Sequence, residues 1–188
     1  MEKIQATLIG DAPLITHNGQ LVDPRNRFAK ELKKLTKKKD KTEDELEEIR
    51  KVEWLGGLYR DSDGTIGLTA DVVLACFYEG AKKSKSGPKF LAGVIETQSF
   101  YPLVYDGPRD AMKLYKQKGF CDYRAVRIGR SRIMRSRPRF NQWSLPVSLL
   151  VNTAVIDGEV VAAAIEAAGE LVGLTERRPR FGRFSVEW

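Results

Sequence analysis

Seven arginines stand between Tyr123 and Ile156 with no lysine and no acid among them: Arg124, Arg127, Arg130, Arg132, Arg135, Arg137 and Arg139. The formal charge of the chain is +7, from 32 lysines and arginines against 25 aspartates and glutamates, so this window carries the whole excess. A guanidinium forks onto phosphate with two hydrogen bonds and stacks on a base, whereas an ammonium is a compact point charge. An acid-free arginine block therefore points to a polyvalent anion, and nucleic acid is the commonest such partner. In an extended chain Arg130 and Arg132 share one parity, and Arg135, Arg137 and Arg139 share the other. The slip at Ile133–Met134 then marks a turn or bulge between two arms of an arginine-rich ribbon over 123–140. Side chains of one parity recur every ~6.5–7 Å, close to the phosphate spacing of an extended single strand. The competing reading is a protein-binding surface, or arginines paired with acids distant in sequence.

A second basic patch lies in the tail, where Arg177, Arg178, Arg180 and Arg183 surround Phe181 in the glycine-flanked stretch 173–183. Phe181 and the nearby Phe184 are candidates for stacking a base, as aromatics do in single-strand binders. Core packing is the alternative for both.

Catalytic chemistry has one candidate. His17, the sole histidine, is the side chain whose ordinary pKa suits general acid–base work near neutrality, and Asp23 lies in the same loop. Tyr59 or Tyr123 could assist. Against this, His17 beside Asn18–Gly19 reads equally as a turn residue, and Asp23–Pro24 as the start of a helix. There is no metal-ligand spacing, no nucleophile elbow and no phosphate loop, so neither a metal nor a cofactor is expected.

The elements that must position these groups follow from periodicity. At 188 residues, with 42 % hydrophobic composition, the chain reads as a single domain (1–188) with elaborations. The N-terminus lacks the shape of a signal peptide and no apolar run approaches a membrane span, so a cytoplasmic protein is expected. Cys76 and Cys121 are far apart and read as buried reduced thiols. Alternation over 2–9 predicts a strand. Residues 25–56 predict a helical-hairpin insertion, with Phe28, Leu32 and Leu35 inward on the first helix. Thr42 and Glu45 form a capping box for the second, which turns Leu46, Ile49 and Val52 inward. Thr69 N-caps a helix over about 70–84, a strand follows near 99–105, and 109–122 is irregular or weakly helical. Alternation over 142–151 gives a core strand, Asp157 starts a helix to about 172, and 184–188 is the last strand. With the insertions removed the order is βαββαβ, which gives an α+β class and a ferredoxin-like, RRM-like core.

Two segments resemble the RAMP superfamily, the ferredoxin-fold proteins of CRISPR effector backbones. GLTERRPRFGRFSV is similar to that family's glycine-rich loop and last strand. IGLTADVVLACFYEGAKK is similar to its lead-in strand and helix, with Thr69 where a small hydroxyl residue starts the helix and Gly80 and Lys82 near the usual glycine and basic residue. PLITHNG also looks like its first loop. The resemblance implies single-stranded nucleic acid (RNA or DNA) as partner, a thumb-like role for 123–140, and self-association into an oligomer along the strand. A stand-alone phage or prophage relative would carry the same features. It also leaves room for metal-independent RNA cleavage by His17, since some members process RNA that way. The third reading is a protein-interaction module mimicking a backbone subunit.

Overall fold

The computed structural model describes every residue from Met1 to Trp188 except the side chain of Ile128. In chain order the strands are β1 (Glu2–Gly10), β2 (Leu14–Ile15), β3 (Gly67–Thr69), β4 (Val94–Glu96), β5 (Phe100–Pro102), β6 (Cys121–Ile128), β7 (Ser131–Phe140), β8 (Ser144–Val151) and β9 (Phe184–Glu187). The helices are α1 (Arg27–Thr36), α2 (Glu43–Gly57), α3 (Ala70–Lys83), α4 (Gly87–Gly93), α5 (Ala111–Lys116) and α6 (Gly158–Leu171). The protein is therefore mixed α+β, and its pairs β1–β8, β1–β9, β4–β8, β3–β5 and β6–β7 are antiparallel. The chain divides into two compact units. One comprises 1–14, 60–106 and 141–188, and the other 15–59 and 107–140.

The first unit is built on a four-stranded sheet of order β4-β8-β1-β9. Its register places Ile4 opposite Leu149, Ala6 opposite Val147 and Leu8 opposite Leu145, so one face is a continuous apolar layer. Intervening residues such as Gln5, Thr7, Pro146 and Ser148 form the other, more polar face. Helices α3 and α6 pack together, burying Val73, Phe77, Val161 and Ile165. Their close approach depends on glycine. A Cβ on Gly80 would sit 2.2 Å from the Ala164 carbonyl oxygen, and where α6 lies against β9 one on Gly169 would sit 2.1 Å from the Phe184 carbonyl oxygen.

Several expectations are corrected here. The second strand of the sheet is not 99–105 but β4, three residues that follow α4, a helix the sequence reading missed. Phe100–Pro102 pairs instead with β3, and the Tyr101 hydroxyl donates to the Ser148 carbonyl at 2.8 Å. Ser86-Gly87-Pro88 opens α4 with proline in its first turn, where a missing N–H costs nothing. Thr69 and Asp157 occupy N-cap positions without a side-chain cap bond.

The second unit joins the helical hairpin to the ribbon. The capping box forms as expected: the Glu45 N–H donates to the Thr42 hydroxyl, and the Thr42 N–H to the Glu45 carboxylate at 2.8 Å. Phe28 and Val52 are buried, but Leu46, placed on the apolar stripe, is 49 % exposed because this turn of α2 faces solvent. Helix α2 packs on β7. Trp54 is fully buried and its Nε1 donates to the Phe120 carbonyl at 2.7 Å. Residues 109–122 contain α5 and the start of β6, and Leu114 is wholly buried.

Candidate functional site

The arginine ribbon is the hairpin β6–β7, and its turn is at Gly129–Arg130, not at Ile133–Met134. Ile128 pairs with Ser131, leaving a two-residue loop, and Gly129 supplies the positive φ of +57° that such a turn needs. The register sorts the arginines. Arg127 lies opposite Arg132, on the face that also carries Tyr123, Ala125 and Met134. Arg124 lies opposite Arg135 and Asp122 opposite Arg137, so Arg124, Arg135, Arg137 and Arg139 share the other face. The parity argument thus holds within β7 for 135, 137 and 139, and Arg130 sits in the turn.

Two acids enter this second set. Asp122 is 3 % exposed and is ion-paired with Arg124. Glu53 of α2 is also 3 % exposed; it receives Arg135 Nη1 at 2.5 Å and the Ser136 backbone N–H at 2.8 Å. Both acids lie outside the acid-free window, Asp122 by one residue, so the window alone does not reveal them. Arg137 and Arg139 are half-buried. Arg127, Arg130 and Arg132 are exposed, and no carboxylate pairs with them among the described residues. Arg127 only closes the turn, its Nε donating to the Gly129 carbonyl at 3.0 Å.

Tyr123, in the sequence a candidate assistant to catalysis, has a different setting here. It lies on the Arg127–Arg132 face and is 44 % exposed, with the Arg50 guanidinium carbon 4.6 Å from its ring centroid. Arg50 of α2 also reaches Glu47 at 3.5 Å and Cys121 Sγ at 3.7 Å. Cys121 is only partly buried, contrary to expectation, because its strand is at a sheet edge. Cys76 is buried as expected, and burial pushes its thiol up to about 12.

The tail patch belongs to the first unit. Arg177, Arg178, Arg180 and Arg183 are exposed in the turns of 173–183. Phe181 is half-buried with the Arg177 guanidinium 5.8 Å from its ring. Phe184 is not available for stacking: it is 2 % exposed and packs edge-on against Phe77 and Trp143. His17 is half-buried, with its carbonyl accepting from the Tyr59 hydroxyl at 3.4 Å. Asp23 is exposed and caps its own loop by accepting from the Arg25 N–H at 2.8 Å. No group of histidine, cysteine and carboxylate side chains suited to a metal ion occurs among the described residues. Among them, too, no helix is long and apolar enough to cross a membrane. No protein-family model matches the chain, and no curated protein matches it either.

Proposed function

We propose that the protein binds single-stranded nucleic acid along the β6–β7 ribbon, without sequence preference. The observation that carries this reading is the charge left over at the ribbon's turn. Arg124 and Arg135 are neutralised by Asp122 and Glu53, while Arg127, Arg130 and Arg132 are exposed with no acid paired to them among the described residues. Cations held on a strand at fixed spacing suit a phosphate backbone, and guanidinium groups suit both RNA and DNA. The exposed Arg177, Arg178, Arg180 and Arg183 form a second cationic surface for the same class of ligand.

The strand order supports a ferredoxin-like reading of the first unit. What supports it is the sheet order β9-β1-β8-β4, with α3 between β1 and β4 in the chain and α6 between β8 and β9. Together with the tail and α3 motifs, this supports a relative of the RAMP type that assembles along the strand it binds.

Fluorescence anisotropy on single-stranded RNA, single-stranded DNA and duplex DNA, each at several salt concentrations, tests the proposal. Salt-dependent binding that favours a single strand is expected. No binding to any of them at low salt overturns the reading and makes the arginine surface a site for an acidic protein.

A further inference from the structure

We infer that Tyr123, backed by the Arg50 guanidinium, is a stacking site for one unpaired nucleobase. The inference rests on the ribbon reading above and adds what that reading lacks, a group that distinguishes a single strand from a duplex.

Tyr123 sits on β6 between a half-buried Cys121 and an exposed Ala125, and opposite Ser136, which is fully buried. Tyr123 itself stays 44 % exposed rather than buried like its cross-strand neighbour. The guanidinium 4.6 Å from the ring centroid is itself held by Glu47 and Cys121, so α2 fixes where the ring sits. A ring held in advance loses little freedom when a ligand arrives. The surroundings fit a base. Met134, 46 % exposed and opposite Ala125, is the diagonal neighbour of Tyr123 on the same face, and a thioether is soft and polarizable against an aromatic. Further along that face stand Arg127 and Arg132. One surface thus offers an aromatic seat, an adaptable apolar wall and then two cations for the adjoining phosphates. Stacking tolerates every base because each has a π face, but the base must be out of a duplex to reach the ring.

The test is anisotropy with a fluorescein-labelled 15-mer of oligouridine or oligothymidine and with a duplex of equal length, using the full chain. Tyr123→Ala is expected to weaken single-strand binding roughly 5- to 100-fold, the range of one lost base–aromatic stack. The salt slope stays unchanged, since no charge is removed. Tyr123→Phe binds within about twofold of wild type because the π face is kept. Tyr123→Leu keeps apolar bulk without that face and is expected to repeat the Tyr123→Ala loss, with a urea midpoint matching wild type showing that the fold is kept. With 5-iodouracil in place of one base, photo-crosslinking is expected at Tyr123. If wild type binds in a salt-dependent way and both Tyr123→Ala and Tyr123→Leu bind equally well, stacking is overturned and the ribbon reading stands. If wild type binds no single strand at low salt, both fall.

Discussion

Glu53 and Arg135 meet at 2.5 Å across the junction of α2 with β7, and the other oxygen of Glu53 receives the Ser136 backbone N–H at 2.8 Å. One carboxylate therefore satisfies an edge donor of the ribbon and cancels one of its charges. Removing one member of a largely buried pair leaves the other without compensation. Arg135 keeps about a third of its side chain in solvent, which softens the loss. Arg135→Ala strands a carboxylate that is 3 % exposed and is expected to cost about 3–4 kcal/mol in urea unfolding. Glu53→Ala strands a partly solvated guanidinium and the Ser136 N–H and is expected to cost less, about 2 kcal/mol. Equal stability of Glu53→Ala and wild type would show that the carboxylate does not anchor the ribbon.

The same pairing divides the arginines by function. A phosphate contact contributes roughly 0.7–0.9 to the slope of log affinity against log salt. Arg130→Ala and Arg132→Ala are each expected to reduce the slope by about that amount, with the unfolding midpoint unmoved. Arg135→Ala is expected to lower stability and to change the slope by much less, because Glu53 already neutralises the cation. A full unit of slope lost at Arg135 and none at Arg132 would reverse the partition.

Much of the fold is legible in the residues, and most of what is missed depends on partners distant in sequence. β1 and β8 show themselves because alternate residues such as Ala6, Leu8, Leu145 and Val147 are buried on one face, which imposes a period of two. Thr42 and Glu45 declare the start of α2 because a capping box is wholly local. β4 is invisible because three residues carry no period and the strand exists only through its pairing with Val151, Leu150 and Leu149. The apolar run near Phe100 is more conspicuous, yet it pairs with β3. Within the candidate site, the arginines and the acid-free window are plain in the sequence. Their sorting into neutralised and solvent-facing sets is not, because it depends on Glu53, 82 positions before Arg135, and on Asp122, just outside the window, turning to Arg124. The turn at Gly129 had a signal in the glycine itself, which the parity slip of the arginines outweighed.

The two thiols should behave differently. Cys76 is buried, donates to the Gly173 carbonyl at 3.2 Å, and has its pKa raised by burial to about 12 from an ordinary value of 9.0. Cys121 is partly exposed. In the native protein at pH 8, one thiol per chain is expected to react rapidly with DTNB, and the second only in denaturant. The raised folded pKa means that above pH 9 the unfolded chain releases a proton which the folded chain keeps. The burial of Cys76 therefore makes stability fall as pH rises past 9. Cys76→Ala removes that fall and Cys121→Ala does not, as urea midpoints at pH 8 and pH 10 will show.

The start of α2 gives a prediction of opposite sign. The Lys38 ammonium, 2.9 Å from Glu45, and the Thr42 N–H hold the Glu45 carboxyl below its ordinary value of 4.5. A carboxylate depressed in the folded state contributes stability that is present above the unfolded pKa and is lost as pH falls through the folded one. The first turn of α2 should therefore loosen as the solution is taken below pH 4.5, without global unfolding. Thr42→Ala removes the complementary half of the box at a cost of about 1 kcal/mol, the usual worth of a hydroxyl N-cap. Amide hydrogen exchange reads both effects at Glu45 and Leu46, whose N–H groups are held by the Thr42 hydroxyl and carbonyl. Protection at these two amides that is independent of pH between 6 and ~3.5, in wild type and Thr42→Ala alike, would mean that packing of α2 on β7, not the cap, fixes where the helix begins.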